Sequence, residues 1–581
     1  MRLLIVLLVP ACTADPDAAP PDAPAAEPQA AGRCSGYQAL RTPFFGDLHT
    51  HTAYSYDAYT FSTRKTPLDA YAFARSRGLD FAAITDHSEW LAIDYGCGVD
   101  PAGNPYDPDS PYFDEEKCVT ARSTQPLQQS INFLRSFANQ RSLCGTELPA
   151  DSPECRPVIQ EAWGAEIAAA QTALDRCRFT SFIGYEWTNS CTGDGGTAAT
   201  CHKNVIFGDS NVPGIPFDSL AFDTQEKLWS ALDTGCNGGP CNAITIPHNS
   251  NLSDGQAFKI PQGSEDHAIK YQKLVEIFQH KGGSECFFDS TNPTDPACDF
   301  NYMPNDSDTA ANYVRTGLET GLAAQASALH KNPLQMGIIG ATDDHNGQAG
   351  DTREDTWNGH VNRLDNTPEL RLANNQAAGM NPGGVAVAWA EENTREAIFA
   401  AFKRRETYAT SGPRITVRMY QTWDQTTDFC RDPNFPAKIE AAGLPMGSNI
   451  TLPAGYTTGA PRIVVYVARD PASRPDAANL ASIDLVEAWI GPAGVAKERV
   501  VRSSAPVGGL ATMCRTFSPV VFKRGTPSFY YARVLQVPTK RWSAYDCAAA
   551  PDANRQGCAP GGGLDVEISE RAWTSPIWYL P

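Results

Sequence analysis

Two histidines that lie two residues apart are the first side chains in this sequence that suggest chemistry. His49 and His51 belong to the segment Gly46-Asp47-Leu48-His49-Thr50-His51-Thr52, which follows a short apolar run. Side chains alternate along a strand, so both imidazoles point to the same side and can reach one metal ion. A single His-x-His pair often occurs by chance. The prediction of a metal site therefore depends on the rest of the chain.

Similar groups of histidines and carboxylates follow most of the later apolar runs. Each run has the length of a buried strand, and imidazole and carboxylate are common metal ligands. Seven of the ten histidines lie at run ends, namely His49, His51, His87, His202, His248, His280 and His345, whereas His267, His330 and His360 fall in helices or insertions. This clustering predicts one site that holds several metal ions.

Strands and helices alternate through the first 410 residues. A helix with Pro67 near its start and Gly78 near its end separates the first strand from a second at 79–84, which indicates a parallel sheet. Ligands collect at the carboxyl edge of such sheets. Further strands are predicted at 179–185, 202–207, 242–247, 274–278, 336–341 and 384–390, with a helix at 394–405.

Three insertions, at about 91–175, 281–332 and 346–382, interrupt this pattern. They either shape access to the site or form loops held by disulfides, and residues 162–174 are predicted to be helical. From residue 413 the pattern changes to strands at 415–420, 462–468, 483–490 and 528–535, which predicts a β-sandwich-like domain over 413–581. Its side chains Arg533, Lys540, Arg541 and Trp542 could reach the cleft, but we expect solvent-exposed surface positions.

The composition is that of a globular protein of more than one domain. The chain has 581 residues, of which 42% are hydrophobic and 19% charged. The formal net charge of −19 and the absence of a basic stripe argue against a nucleic-acid partner. An acidic protein that acts on an anionic substrate needs a local source of positive charge, which metal ions would supply.

The N-terminus predicts export from a bacterial cell. Residues 1–12 resemble a signal peptide whose Val-Pro-Ala-Cys ending is typical of a lipoprotein, so Cys12 is either a lipid-bearing membrane anchor or an incidental cysteine of an ordinary signal. Residues 13–35 read as a flexible Ala- and Pro-rich tether. Without Cys12, 16 of the 17 cysteines remain, an even number that favours disulfides over zinc–thiolate sites. We therefore predict a periplasmic, outer-membrane or cell-surface lipoprotein.

The ordered motifs resemble those of the PHP (polymerase and histidinol phosphatase) superfamily, and especially its large exported members that contain a domain of unknown function. The resemblance covers about residues 40–415 and rests on His49-x-His51, Thr85-Asp86-His87, Glu186, His202, His248 and Asp343-x-His345. It implies a distorted (β/α)7 barrel over 36–412, with long insertions, and phosphate-ester hydrolysis. It also implies two or three divalent ions, zinc or manganese with iron as a further option.

The same resemblance implies a role for each ligand. One metal would be bound by His49, His51 and Asp343, while Glu186 would bridge two metals. The remaining implied ligands are Asp57, His87, His202, His248 and His345. His248 would bind the third metal or the phosphate.

Paired metal ions activate water and hold the oxygens of a phosphoryl group. The expected reaction is attack by a metal-activated hydroxide near Glu186 on a small phosphate mono- or diester, with His248 and Asp86 as further catalytic candidates. Groups that could protonate the leaving group or hold phosphate are Asp86, Lys203, His280 and Arg414. Glu276 and Asp344 are expected to orient histidines or to be ordinary polar packing, and Asp47 is either a ligand or an orienting group.

Two other functions stay open. The same metal centre could cleave an amide, a lactone or a sulfate ester, because one fold supports several chemistries. The chain could also be a non-catalytic surface protein with structural metals, although structural zinc sites are usually rich in cysteine. The oligomeric state does not follow from the sequence.

Overall fold

The computed structural model describes residues 32–89, 91, 155–192, 198–289, 295–303, 308–373, 380–456, 459–519, 521–550, 556–558 and 563–581. The predicted signal peptide with Cys12, most of the tether and most of the first insertion lie outside these described residues. Within them, no helix is both long enough and apolar enough to span a membrane.

The first part of the chain contains the predicted alternation of strands and helices. Its strands are β1 (Thr42–Asp47), β2 (Phe81–Ala83), β3 (Thr180–Trp187), β4 (Ser190–Thr192), β5 (Ala198–Thr200), β6 (Lys203–Phe207), β7 (Ala243–Pro247), β8 (Leu274–Gln279), β9 (Gly282–Gly283), β10 (Gly337–Gly340), β11 (Val385–Ala390) and β12 (Thr407–Thr410). Its helices are α1 (Tyr56–Thr60), α2 (Pro67–Ser76), α3 (Cys155–Ala173), α4 (Gln225–Leu232), α5 (Glu265–Tyr271), α6 (Val314–Ala326), α7 (Pro368–Ala373) and α8 (Arg395–Arg404).

The start of α2 shows how local sequence determines these elements. The hydroxyl of Thr66 accepts from the backbone N–H of Asp69, and the Asp69 carboxylate accepts from the backbone N–H of Thr66. This capping box, followed by Pro67 as the first helical residue, satisfies backbone donors that the helix cannot pair. The helix predicted between Pro67 and Gly78 is therefore confirmed.

The large sheet is parallel only in its middle. Strands β1, β2 and β3 pair in parallel as predicted, but β6 and β7 continue the sheet in antiparallel pairs. A parallel connection needs a crossover of a dozen or more residues, usually a helix. The chain between β3 and β6 instead forms the hairpin β4–β5, which the Cys191–Cys201 disulfide closes. The prediction of a mostly parallel sheet is wrong here.

Seven strands surround the predicted site, but their hydrogen-bond ladder does not close within the described residues. One ladder joins β1, β2, β3, β6 and β7, and a separate parallel ladder joins β8 and β10. A single parallel bridge between Thr50 and Asp344 connects the ends of β1 and β10, and β8 contacts β7 without a ladder. The architecture is thus a mixed α/β fold with large sheets rather than a closed barrel.

The second part of the chain is rich in strands, as predicted. Its strands are β13 (Thr416–Thr422), β14 (Gly443–Pro445), β15 (Asn449–Ile450), β16 (Arg462–Ala468), β17 (Leu480–Ile490), β18 (Ala496–Ser504), β19 (Thr512–Phe517), β20 (Ser528–Gln536), β21 (Thr539–Lys540), β22 (Glu567–Ile568), β23 (Arg571–Thr574) and β24 (Ile577–Tyr579), with helices α9 (Phe435–Ala442) and α10 (Trp542–Ala549). Four of them form the sheet β14–β13–β16–β19, while β23 pairs with β12 and extends the large sheet.

Arg533, Arg541 and Trp542 are buried, so the prediction that they are surface groups is wrong. Arg533 lies between three carboxylates, at 3.0 Å from Glu285 and Asp484 and 2.9 Å from Asp295. A buried guanidinium needs such partners, because an unpaired charge in the interior is very costly. Lys540 alone of the four side chains is exposed.

The cysteines form disulfides, as predicted from their even number. The described pairs are Cys34–Cys177, Cys191–Cys201, Cys236–Cys241, Cys286–Cys298, Cys430–Cys514 and Cys547–Cys558. Stable disulfides indicate an oxidising compartment.

Candidate metal centre

All nine predicted metal ligands lie at one edge of the strands. His49 and His51 follow β1, His87 follows β2 and Glu186 lies near the end of β3. Because β6 runs antiparallel to both β3 and β7, its start lies beside their ends. This places His202, just before β6, next to His248, just after β7, and the backbone N–H of His248 faces the carbonyl of His202 at 3.4 Å. Asp343 and His345 follow β10.

Glu186 lies at the centre of the cluster. Its Oε2 is 3.1 Å from Nε2 of His49 and 3.2 Å from Nε2 of His51. Its Oε1 faces the other way, at 2.8 Å from Nδ1 of His202 and 3.4 Å from Nδ1 of His87. One carboxylate that faces imidazoles on two sides has the geometry of a bridging ligand.

Asp343 divides its two oxygens between the cluster and the protein. Oδ1 lies 3.3 Å from Nε2 of His49 and 3.2 Å from Nε2 of His51. Oδ2 accepts from Nε2 of Gln279 at 2.7 Å and from the ammonium of Lys281. The backbone of Asp343 has φ 55°, which is costly for a residue with a side chain. This strained conformation is held in place by the contacts around it.

Asp57 joins the third side of the cluster. Its Oδ2 is 3.1 Å from Nε2 of His87 and 2.9 Å from Nε2 of His345. Overlapping groups of ligand atoms, each within 4.8 Å of one another, are His51–Asp57–His87–His345, His49–His51–Asp343 and Glu186–His202–His248. Two more groups bring in residues beyond the nine, namely Glu276 with His49 and His248, and His280 with Asp343 and His345.

A carboxylate fixes the orientation of the His49 ring. Nδ1 of His49 lies 3.0 Å from Oε2 of Glu276, and a carboxylate can only accept a hydrogen bond. Nδ1 therefore carries the proton and donates it. The Nε2 lone pair consequently points at Glu186 and Asp343, toward the centre of the cluster.

A relay of hydroxyl and carboxylate groups fixes His51 in the same way. Ser55 donates its hydroxyl proton to Oδ1 of Asp86 at 2.8 Å, so its oxygen must accept from Nδ1 of His51, also at 2.8 Å. Asp86 also accepts from the backbone N–H and hydroxyl of Thr52, at 2.6 and 2.5 Å. Both Asp86 oxygens are thus engaged in holding the loop of His51, and a catalytic role of Asp86 stays a prediction.

His87 and His345 have equivalent supports. Nδ1 of His345 donates to the carbonyl of Asp343 at 2.8 Å. Thr188 donates its hydroxyl to Glu186 at 3.1 Å and therefore accepts from Nδ1 of His87. In the neutral form of both rings, the Nε2 atom that faces Asp57 is therefore the one without a proton.

These assignments create a need for cations. Four imidazoles present lone pairs to carboxylate oxygens at N–O distances of 2.9 to 3.3 Å. Two acceptors do not hydrogen-bond to each other, so a proton or a metal ion must lie between them. Burial disfavours the charged form of His49, but the carboxylates of Asp343 and Glu276 outweigh it and raise the pKa of His49 to about 10. Protons and metal ions therefore compete for the same nitrogens.

His248 and His280 are buried, and neither ring has a hydrogen-bond partner among the described residues. His248 Nε2 lies 3.5 Å from Glu186, and His280 Nε2 lies 3.4 Å from Asp343. Burial and the neighbouring His49 lower the pKa of His248 to about 3, so its ring is neutral, the form that binds metals. Buried polar atoms without partners cost about 1–3 kcal/mol each. The donor set therefore fits divalent zinc, manganese or iron.

Asp47 orients the cluster rather than facing its centre. Its oxygens accept from the backbone N–H groups of His49, Thr342 and Gly350 and from the Thr342 hydroxyl. These bonds connect the end of β1 to the end of β10. Of the two roles that the sequence left open for Asp47, ligand or orienting group, these bonds favour the orienting group.

Among the residues near the centre that the sequence did not point to are Lys281 and His360. Lys281 contacts Asp343, and the buried His360 packs its ring 5.5 Å from that of His280. Lys281 directly follows a run end and could have been found. His360 follows no apolar run, and only the fold brings it here. Lys203, which the sequence suggested as a group that could hold phosphate, instead donates from its ammonium to Gln272 at 2.8 Å.

Residues 38–507 and 502–581 match the model of a family described as protein of unknown function, DUF3604. A solved structure from Bacteroides vulgatus, of a two-domain protein containing a predicted PHP-like metal-dependent phosphoesterase, covers 86% of this chain and 94% of its own. The identity is 10% and the TM-score 0.29, too low to support an argument. No curated protein matches the chain. Because the family model spans nearly the whole sequence, the chain belongs to the DUF3604 family.

Proposed function

We propose that this protein is an exported, metal-dependent phosphoesterase of PHP type with a di- or trinuclear centre. The observation that carries the proposal is the set of buried imidazole lone pairs aimed at shared carboxylates. Such an arrangement is unfavourable without cations, and a purely structural role needs no more than one closed site. The proposed ligands are His49, His51, Asp57, His87, Glu186, His202, His248, Asp343 and His345.

Bound divalent ions supply Lewis acidity and positive charge for displacement at phosphorus. The protein's own part is to hold the ligand set in place. Glu186 connects the imidazoles on its two sides, while Glu276, Ser55 and Thr188 fix three rings through the hydrogen bonds described above. Preorganised ligands of this kind keep the open positions of the centre in a constant geometry.

Positive charge beside the cluster supports an anionic substrate. The ammonium of Lys281 contacts Asp343, and its side chain is 26% exposed, so a cationic group that solvent can reach lies next to the proposed ligands. A neutral amide or lactone gains little from this charge. A phosphate ester, with one or two negative charges, gains more.

The test uses full-length protein purified after export and loaded separately with zinc, manganese or iron. Elemental analysis should give two or three ions per chain, and a panel of phosphate mono- and diesters should include hydrolysed members. The panel also contains a lactone, an amide and a sulfate ester. Asp343→Asn should abolish activity, whereas Asp223→Asn, at an exposed helix start, should not.

Two results would overturn the proposal. One is metal-loaded protein that leaves every phosphate ester intact while it cleaves the sulfate ester, the amide or the lactone. The other is a single tightly held ion with no hydrolysis of any ester, which would indicate a structural metal.

Export and lipid attachment at Cys12 belong to the same proposal. The disulfides support an oxidising compartment, and the N-terminal sequence supports the route. Labelling of producing cells with a radioactive fatty acid should mark the wild-type protein and not Cys12→Ser. Equal labelling of both proteins, or labelling of neither, would contradict lipid attachment at this residue.

A further inference from the structure

A polar cavity of about 380 Å³ is built on two segments that also carry ligands of the metal centre. One wall continues from α1, which bears Asp57, and the other directly follows His345. The two walls are joined by Thr63, whose hydroxyl donates to the carbonyl of His345 at 2.6 Å. The cavity is lined by Thr63, Arg64, Lys65, Asp69, Asn346, Gln348, Asn358, Asn362 and Asn366.

The lining determines the chemistry of the ligand. Every lining side chain is polar, and five of the nine are carboxamides. A carboxamide both donates and accepts hydrogen bonds, and so does a hydroxyl group. Small-molecule sites usually have apolar walls and volumes of roughly 300–1,000 Å³. This cavity has the volume of such a site, and every side chain that lines it ends in a polar group beyond a short aliphatic stem. A ligand that carries many hydroxyl groups on a compact carbon ring fits such a lining best.

The charges around the cavity favour a neutral ligand. The side chain of Lys65 interacts electrostatically with the carboxyl groups of Asp344, Asp351 and Asp69. Arg64 donates from one guanidinium nitrogen to the carbonyls of Tyr59 and Thr63, both at 2.7 Å. Because the carboxyl group of Asp69 also lines the cavity, the charged groups there are of both signs and do not form a purely cationic surface for an anion.

Several of the lining groups can turn to a ligand. Asn358 and Asn366 are exposed, and Oε1 of Gln348 is buried with no hydrogen-bond partner among the described residues. Asn346, in contrast, supports the wall, because its side chain donates to the carbonyl of Gly359 and accepts from a backbone N–H. The cavity thus has a wall that Asn346 holds in place and polar side chains that can form hydrogen bonds with a ligand.

We propose that this cavity binds a neutral sugar. The sugar is either the polyhydroxylated part of the phosphate ester that the metal centre cleaves or a free saccharide. The first of these sources rests on the proposed function, and the second does not.

The experiment measures binding and kinetics on the full-length, metal-loaded protein. Calorimetric titration with neutral hexoses and their disaccharides gives the affinity for free sugars. Hydrolysis of hexose phosphates and of p-nitrophenyl phosphate gives KM for an ester with and without the sugar. The variant is Asn358→Ala combined with Asn366→Ala, and the control is Asn434→Ala, an exposed asparagine that does not line the cavity.

We expect saturable binding of at least one sugar by the wild type and the control, and an affinity about tenfold lower in the double variant. If the double variant also raises KM for hexose phosphate and not for p-nitrophenyl phosphate, the sugar that binds in the cavity is part of the substrate. Unchanged KM for both esters identifies a free saccharide. The proposal is overturned if no sugar binds saturably or if the double variant binds as the wild type does. If no ester is hydrolysed, the proposed function fails, and sugar binding still decides this inference.

Discussion

Ser55 offers a sharp test of the tautomer assignment at the metal centre. Its buried hydroxyl accepts from Nδ1 of His51 at 2.8 Å and from the backbone N–H of His87 at 3.0 Å, and it donates to Asp86. Ser55 precedes α1, but its side chain makes no capping bond to that helix. Ser55→Ala should therefore leave the helix intact while it removes the acceptor for His51, together with the hydroxyl's bonds to the backbone N–H of His87 and to Asp86.

The expected loss follows from the unpaired donor. A buried N–H without a partner costs about 1–3 kcal/mol, and residues that orient metal-binding histidines contribute about 10–100-fold to metal affinity. A tenfold loss corresponds to about 1.4 kcal/mol. We expect the weakest-bound ion of Ser55→Ala to lose about 10–100-fold in affinity. The melting temperature of the metal-free protein should also fall, because buried donors lose their acceptor there too.

The measurement is competition for zinc between the protein and a chromophoric chelator, with elemental analysis of the ions that remain bound. Ser76→Ala is the matched control, because Ser76 is exposed near the end of α2 and bonds only to a carbonyl of its own helix. An affinity of Ser55→Ala within twofold of the wild type, with all ions retained, would refute the assigned tautomer of His51.

Three further predictions concern protons, acid and disulfides. The surrounding carboxylates outweigh the effect of burial and raise the pKa of His49 to about 10. Metal binding near pH 7 should therefore release at least one proton and become tighter as the pH rises. Calorimetric titration with metal in buffers of different ionisation enthalpy measures the number of protons released. Burial alone would raise the pKa of Glu285, but the guanidinium groups of Arg533 and Arg315 lower this pKa to about 2. Because the folded-state pKa of Glu285 is below its unfolded value of about 4.3, the ionised carboxylate stabilises the folded protein above pH 4.3, and this stabilisation is lost as the pH falls toward 2. Between those pH values, the melting temperature of the wild type should fall more steeply than that of Glu285→Gln. The disulfide Cys34–Cys177 joins residues that are 143 positions apart, so replacing both cysteines by serine should lower the free energy of unfolding, measured by urea denaturation, by about 2–5 kcal/mol. The disulfide Cys236–Cys241 joins residues only five positions apart and should contribute less. An equal loss for both disulfides would contradict the argument that a longer closed loop gives more stabilisation.

The sequence predicts that these side chains lie close together, as they do in the structure, because the relevant signal is local. An apolar strand that ends in His49 or Asp343 is visible in the residues themselves, and the order of such ends along the chain indicates a shared edge. His202 reaches the same edge for a different reason. It precedes its strand, and only the antiparallel turn at the β4–β5 hairpin brings that start to the same edge.

What the sequence could not show depends on contacts between distant segments. Ser55 and Thr188 look like ordinary loop residues until the fold brings them to a histidine ring. Arg533 looks like a surface charge because nothing near it in sequence shows that Glu285 and Asp295 lie beside it. Periodicity reports which side of a strand is apolar, but not which strands become neighbours.

The pairing of β12 with β23 has a consequence for how the protein is made. Cys34–Pro581 forms one compact unit, and β23, at Arg571–Thr574, lies between β12 and β20 in the large sheet. A growing chain must therefore keep this edge of β12 unpaired until Arg571–Thr574 has been synthesised, and unpaired edges attract other chains. Contacts this distant in sequence also form slowly. Although every proposed metal ligand has been synthesised by His345, the sheet beside the candidate metal centre is completed only when β23 has been made.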